Sequence, residues 1–334
     1  MNIIGQRLEQ VSLKESQQFK NLTMFPLVDE QPREAHYLLL EEALETGAAK
    51  VTEVIESGSV PELKFVNEAD KPVLLLDGEE LVGAKQNRII NLTILVAAKT
   101  TIVIPVSCVE QGRWRADSDK FSAAKRTHFA SGRARKANRV SESMNRSGSR
   151  NTNQSEVWED IEVKFSRMKT DSPTRAAAAM YENNRAGLND FEKAFTPIDN
   201  QTGALFVING KAVGFDLFDS RKPFQAMLPS LVQSYALDAI DNLAEGLAEN
   251  QAAGSHLAQK LLDDCSQAVV NCFPAVGEGQ DIRLQGEGLT GGALEVEERV
   301  IHMCAFRLAE SEPEKINHRS RMARASLRRE YRID

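Results

Sequence analysis

The sequence predicts an α+β fold: an N-terminal antiparallel β-sandwich or barrel-like domain, a central helical excursion, and a C-terminal αβ part in which a hairpin packs on helices. Three observations lead there. Residues 1–114 hold several short runs rich in Ile, Val and Thr, with turn residues between them. Residues 155–195 switch to a helical spacing of apolar side chains. Asn209-Gly210 then stands between two apolar runs, and this is the dipeptide of a type I′ hairpin, whose central residues both need positive φ.

Taken in order, "FKNLTMFPLV" reads as the first strand. "HYLLLEEAL" reads as a strand or as a short helix ended by Gly47. "KVTEVIE" alternates, and "ELKFVNEADKPVLLLDGEE" reads as two strands joined by a polar turn at Asn67 to Lys71. "RIINLTILV" and "TTIVIPVSCVE" suit a pleated surface, and Ala97 to Thr101 form the connection between them. From Arg115 to Asn153 the chain is rich in Arg, Ser, Asn and Gly. With so few large apolar residues it reads as a long basic excursion, helical around Arg135 to Met144. "SEVWEDIEVKFSRM" places Val157, Ile161, Phe165 and Met168 on one helical face, with Ser155 as N-cap. The next helix is expected to begin at Ser172-Pro173 and to break near Gly187. After the hairpin comes a helix that either starts at Ser230 or kinks at Pro229. A further helix and glycine-punctuated strands complete the chain. The expected division is 1–114, 115–153, 154–310, and a basic tail over 311–334.

Composition narrows the function classes. The 334 residues carry a net charge of −7, unevenly spread. From Arg115 to Arg150 ten Lys and Arg stand against three acids, and from Pro313 to Asp334 seven stand against three. The remaining body is strongly acidic. The basic segments either lie on that body and neutralise it or reach for phosphate or nucleic acid, and a further reading makes them arms for a protein partner. Neither interleaves aromatic residues, so nucleic acid is not an expected partner. No apolar run is long enough to span a bilayer and the first residues lack a signal-peptide pattern, so a cytoplasmic protein without membrane contact is expected. The four cysteines form no CxxC pair and the five histidines show no metal spacing. Neither a metal site nor a cofactor is expected.

The candidate site comes from register. On a strand, Arg88, Ile90, Leu92, Ile94 and Val96 share one face, as do Ile102, Ile104, Val106, Cys108 and Glu110. A five-residue turn at Ala97–Thr101 would set Val96 against Ile102, Ile90 against Cys108, and Arg88 against Glu110. A one-residue slip would destroy this pairing. The pair either closes the core as a buried salt bridge or forms the polar floor of a site. In the second case Glu79, Gln86, Asn87, Arg88, Glu110, Arg113 and Trp114 converge. Arg88 would grip a small anionic ligand bidentately and Trp114 would stack on a ring.

The blocks "GEELVGAKQNR", "VSCVEQGRW" and "GALFVINGKAVGFDLFDSRKPF" resemble the bacterial family of ADP-ribosylglycohydrolase- and rhodanese-phosphatase-associated protein domains, from about Asn21 to Ile240 and beyond. The resemblance implies a setting in ADP-ribose or nucleotide metabolism and assigns no catalytic residue. Two readings of different classes follow. One is an accessory module that holds a nucleotide or ADP-ribose-like anion at the Arg88/Glu110 end. The other is a hydrolase of phosphoester or N-glycosidic bonds with Glu110 or Glu79 as base. A structural protein with basic partner-binding arms is a third.

Overall fold

Asn209 and Gly210 adopt φ of +48° and +71°, and Ile208 faces Lys211 across the turn, so the type I′ hairpin forms where its dipeptide stands. No other atom lies near the position a Gly210 side chain would take. Gly210→Ala should therefore cost about 1 kcal/mol through backbone strain alone, read as a shifted denaturation midpoint. An unchanged midpoint would show that the turn relaxes.

The computed structural model describes residues 2–55, 58–59, 61–114, 118, 120–243 and 254–308. The expected basic tail over 311–334 lies outside them. The fold is α+β, with antiparallel sheets predominating. The larger sheet runs in the order Val11–Leu13, Leu22–Asp29, Gln201–Ile208, Lys211–Phe218, Arg299–Arg307, Leu289–Val296, Gln280–Gly286, Val269–Pro274, with Gln17–Phe19 also beside Leu22–Asp29. Residues from the first thirty thus share a sheet with the C-terminal strands.

Both faces of this sheet are covered. Leu205, Val207, Phe215 and Leu217 pack against Ile4 and Leu8 of the helix Ile3–Glu9 and Leu261 of the helix Ser255–Ser266. Ala204, Phe206 and Ile208 point the other way, onto Leu231 and Tyr235 of the helix Arg221–Asp241. Covering both faces explains why these strands read as continuous apolar runs. Each such side chain removed from water stabilises the fold by about 1.5–3 kcal/mol. The helix Arg221–Asp241 is continuous through Pro229, so of the two expected forms it does not begin at Ser230.

The second sheet curls into a half-barrel in the order Phe121–Thr127, Glu79–Gly83, Arg88–Ile90, Thr101–Cys108, Glu62–Asn67, Ala49–Glu53. A three-stranded sheet of Ile94–Val96, Val73–Leu75 and Leu38–Leu39 completes its wall around Phe65, Ile90, Ile94 and Val106. The short helix Leu40–Glu45 adds Leu40 and Ala43 to that core.

The expected hairpin across Ala97–Thr101 does not form. Ile94–Val96 pairs with Val73–Leu75 instead. The following strand changes partner midway: Thr101–Pro105 pairs with Glu62–Val66, and Val106–Cys108 with Arg88–Ile90. Arg88 therefore faces Cys108, not Glu110.

The basic segment is helical where expected, around Arg135 to Met144, but it is not an excursion. It supplies the strand Phe121–Thr127 and the 18-residue helix Ala130–Ser147, called the central helix below. Ala130, Ala134, Ala137, Val140 and Met144 recur at three- and four-residue steps and are buried. Small residues make the apolar face, so composition hides it. Gly148, at φ +72°, ends the helix in the left-handed conformation.

Two other helix starts move. The helix Gln154–Met168 is capped by Asn153, whose Oδ1 accepts from Ser155 N, so Ser155 is not the cap. Pro173 does not open a helix. The backbone beside it is taken by the stretch after Cys108: Gly112 N donates to Thr174 O and Ala177 N to Val109 O. Helix begins only at Ala178, and the break falls at Asn184, before Gly187.

Candidate functional site

Seven residues were expected to converge near Arg88, and the structure brings six of them together. Arg88 is 0 % exposed. Its Nη1 donates to Gln86 Oε1 at 2.9 Å, and the Cys108 thiol donates to the same oxygen at 3.1 Å. Gln86 Nε2 donates to Glu110 O at 2.9 Å. Glu110 spends its carboxylate elsewhere. Its Oε2 accepts from Arg113 Nη2 at 2.7 Å and from Asn87 N at 3.1 Å. Arg113 also donates to Ala84 O and to Asn87 Oδ1. Burial would raise the Glu110 carboxyl, but Arg113, Thr174 and the Asn87 N–H outweigh it and hold it below its ordinary value.

Glu79 is the residue that does not join. Neighbours on a strand face opposite ways, and here Glu80 faces the cluster. Asn87 Nδ2 donates to Glu80 Oε1 at 3.2 Å, and Arg126 forks onto both Glu80 oxygens at 2.5 and 3.1 Å. Glu79, 7 % exposed, accepts from Leu76 N at 2.6 Å. Burial pushes its carboxyl up to about 8.

Arg88 consequently has no hydrogen-bonded carboxylate. Its Nε and Nη2 are buried and make no hydrogen bond. Burial lowers its pKa, and the fields of Cys108 and Glu53 oppose that. Both Glu53 carboxylate oxygens are likewise buried without a hydrogen-bond partner. Above the guanidinium lies Trp114, 51 % exposed, with its ring centroid 5.9 Å from Arg88 Cζ and 5.5 Å from Lys85 Nζ. Sequence reasoning missed Glu53, which sits in "KVTEVIE" like any strand-end acid. Its only signal is that strand Ala49–Glu53 ends the half-barrel order while Arg88–Ile90 lies near the middle, and no spacing rule links the two.

A second polar cluster lies at the joint between the sheets. Asp77, Arg133, Asp216, Lys136 and His302 are all buried. Arg133, from the central helix, donates from Nη2 and Nη1 to Asp216 Oδ1 and Oδ2 at 2.6 and 3.1 Å, and from Nε to Asp77 Oδ1 at 3.2 Å. Lys136 Nζ donates to Asp77 Oδ2 at 2.6 Å and to the carbonyls of Ile90 and Asn91. His302 Nε2 stands 3.4 Å from Asp216 Oδ1, and its Nδ1 is 2.9 Å from Thr93 Oγ1. Burial would raise the Asp216 carboxyl, but Arg133 and His302 hold it well below its usual range. Thr93, His302 and Asp216 stand in the order of a nucleophile–base–acid relay, but His302 Nε2 makes no hydrogen bond to Asp216. In addition, Asp216 and His302 are 0 % exposed and Asp216 is forked by Arg133. The arrangement serves as an ionic tie between the central helix and both sheets.

Among the described residues, no group of three or more His, Cys, Asp and Glu is placed to hold a metal ion, and no helix is long and apolar enough to cross a membrane.

The ARG and Rhodanese-Phosphatase-superfamily-associated Protein domain family matches residues 10–306 of the chain. No curated protein and no solved structure matches it.

Proposed function

The chain belongs to the family of ARG and Rhodanese-Phosphatase-superfamily-associated Protein domains, and from that premise we propose that it is an accessory binding protein whose ligand is anchored by Arg88. The observation that carries this reading is the Nε–Nη2 edge of Arg88, a buried guanidinium edge with no hydrogen bond. Such an edge matches a pair of acceptor oxygens on a carboxylate or phosphate. An unsatisfied buried donor costs about 1–3 kcal/mol, and a ligand that fills it recovers that cost. Glu53 places two unused acceptors in the same neighbourhood, and Trp114 supplies an exposed ring for stacking. A nucleotide or ADP-ribose-like molecule combines these chemistries: an anionic group, a ring and donors. Because Arg88 is covered, the half-exposed indole must move aside to admit the ligand.

The hydrolase reading has less support. Glu110 is paired with Arg113 and held ionised below its ordinary pKa, which makes it a weak base. Glu79 has a raised pKa but faces away from the cluster.

Calorimetry with ADP-ribose, NAD and ADP tests the proposal. Binding is expected for at least one of them. Trp114→Ala should weaken it about tenfold, in line with the ~0.5–1.5 kcal/mol of a ring contact. Arg88→Lys keeps the charge but loses the fork, and should weaken it further. Absence of heat with all three ligands, or equal affinity in both variants, would overturn it.

A further inference from the structure

Away from the half-barrel, a cleft of about 370 Å³ opens where the helix Ile3–Glu9 lies by the strand ends at Asp29 and Arg299 and by Asp219, just past the strand Lys211–Phe218. Its floor is built of compensated ion pairs. Arg7, 6 % exposed, donates from Nη1 to Asp29 Oδ2 at 2.7 Å and from Nη2 to Phe218 O at 2.8 Å. Arg299 pairs with Asp219, and Tyr37 donates to Asp219 Oδ1 at 2.7 Å. The Nε atoms of Arg7 and Arg299 are buried and make no hydrogen bond. Gln6, Gln10 and Gln31 add amides to the walls.

This lining selects by chemistry. Four carboxylates stand against three arginines around the cleft, and the buried arginines are already paired, so a phosphate finds no surplus of positive charge. The interleaved guanidinium groups disfavour a metal cation. Ile3 and Val300 are the apolar contributions, too few for a greasy ligand. A neutral molecule carrying several hydroxyls fits, because each hydroxyl donates to a carboxylate or amide oxygen and accepts from a guanidinium N–H. The volume falls in the range of small-molecule sites, about 300–1,000 Å³. We propose that this cleft is a second binding site, distinct from the Arg88 end, for a neutral polyhydroxylated ligand of monosaccharide size.

Saturation-transfer NMR on the full chain with ribose and with glucose tests the proposal, with inorganic phosphate and glycine as comparison probes. Transfer to the ring protons of at least one sugar is expected at millimolar concentration. Gln6→Trp and Gln31→Trp change exposed lining residues and would fill the cleft. Each should reduce the transfer at least fivefold while leaving the melting temperature near that of the parent. Arg88→Lys should leave it unchanged. No transfer to either sugar, transfer that survives both tryptophan variants, or binding of phosphate or glycine alone would overturn the proposal.

Discussion

Arg133→Leu should destabilise the protein by about 3–5 kcal/mol, the usual cost of leaving a buried charge without its partner. Arg133 is the only group among the described residues that hydrogen-bonds both Asp77 and Asp216, and neither carboxylate has access to water. Leucine would strand one charge in the larger sheet and weaken another in the half-barrel. The guanidinium also lies 4.9 Å from the Phe306 ring centroid, a contact that leucine does not reproduce in kind. Such a loss is comparable with the whole stability of many domains. Urea denaturation would show it as a lower midpoint with little change in slope. The double variant Arg133→Leu/Asp216→Leu removes the stranded charge together with its partner and should recover a large part of the loss, since a buried pair exchanged for apolar residues is often near neutral. A single variant within 1 kcal/mol of the parent would contradict the role given to Arg133.

Glu79→Gln should stabilise the protein under alkaline conditions and not in acid. The folded carboxyl keeps its proton up to about pH 8, whereas an unperturbed glutamate releases it near 4.5. Between those values the unfolded state binds fewer protons, so stability of the parent falls as pH rises through the window. Each pH unit of that interval costs about 1.4 kcal/mol, and the total reaches several kcal/mol by pH 8. Glutamine carries no proton to lose, and its amide oxygen can still accept from Leu76 N. The two proteins should melt alike near pH 4.5 and diverge by on the order of 10–20 °C at pH 8–9, at ~2–4 °C per kcal/mol. Parallel melting curves across the range would refute the buried, protonated state of Glu79.

The sequence was legible where local chemistry decides the outcome. Asn209-Gly210 fixes its own turn, and Val157, Ile161 and Phe165 mark the buried face of their helix without help from elsewhere. It was not legible where partner choice decides. "TTIVIPVSCVE" was rightly read as a strand, but "RIINLTILV", read as one strand, splits into Arg88–Ile90 and Ile94–Val96 in different sheets, because β-branched runs do not specify which strand they join. Pro105 lies where the second run changes partner, and it offers no N–H. The central helix was expected around Arg135 to Met144, but its burial was obscured for a different reason. Arg133 and Lys136 make a buried segment look like a solvated one, because their compensating acids, Asp77 and Asp216, lie far away in sequence. The candidate site was found in outline because its residues cluster in two blocks. Its decisive pairings, Glu110 with Arg113 and Arg88 with no hydrogen-bonded carboxylate, follow from the lost hairpin.

The placement of Leu22–Asp29 beside Gln201–Ile208 bears on how the protein is made. The half-barrel strands, Ala49–Glu53 through Phe121–Thr127, hydrogen-bond as strands only with one another, so their sheet can pair early, although helices made later cover it. One edge of the earlier strand is taken by Val11–Leu13 and Gln17–Phe19, but the other must wait for a partner synthesised much later, a delay on the order of ten seconds or more at ~5–20 residues per second. During that interval the edge of this apolar ribbon that faces away from Val11–Leu13 and Gln17–Phe19 stays unpaired. Nascent chains of this protein should therefore depend on a holding chaperone at their N-terminus more than at any later segment.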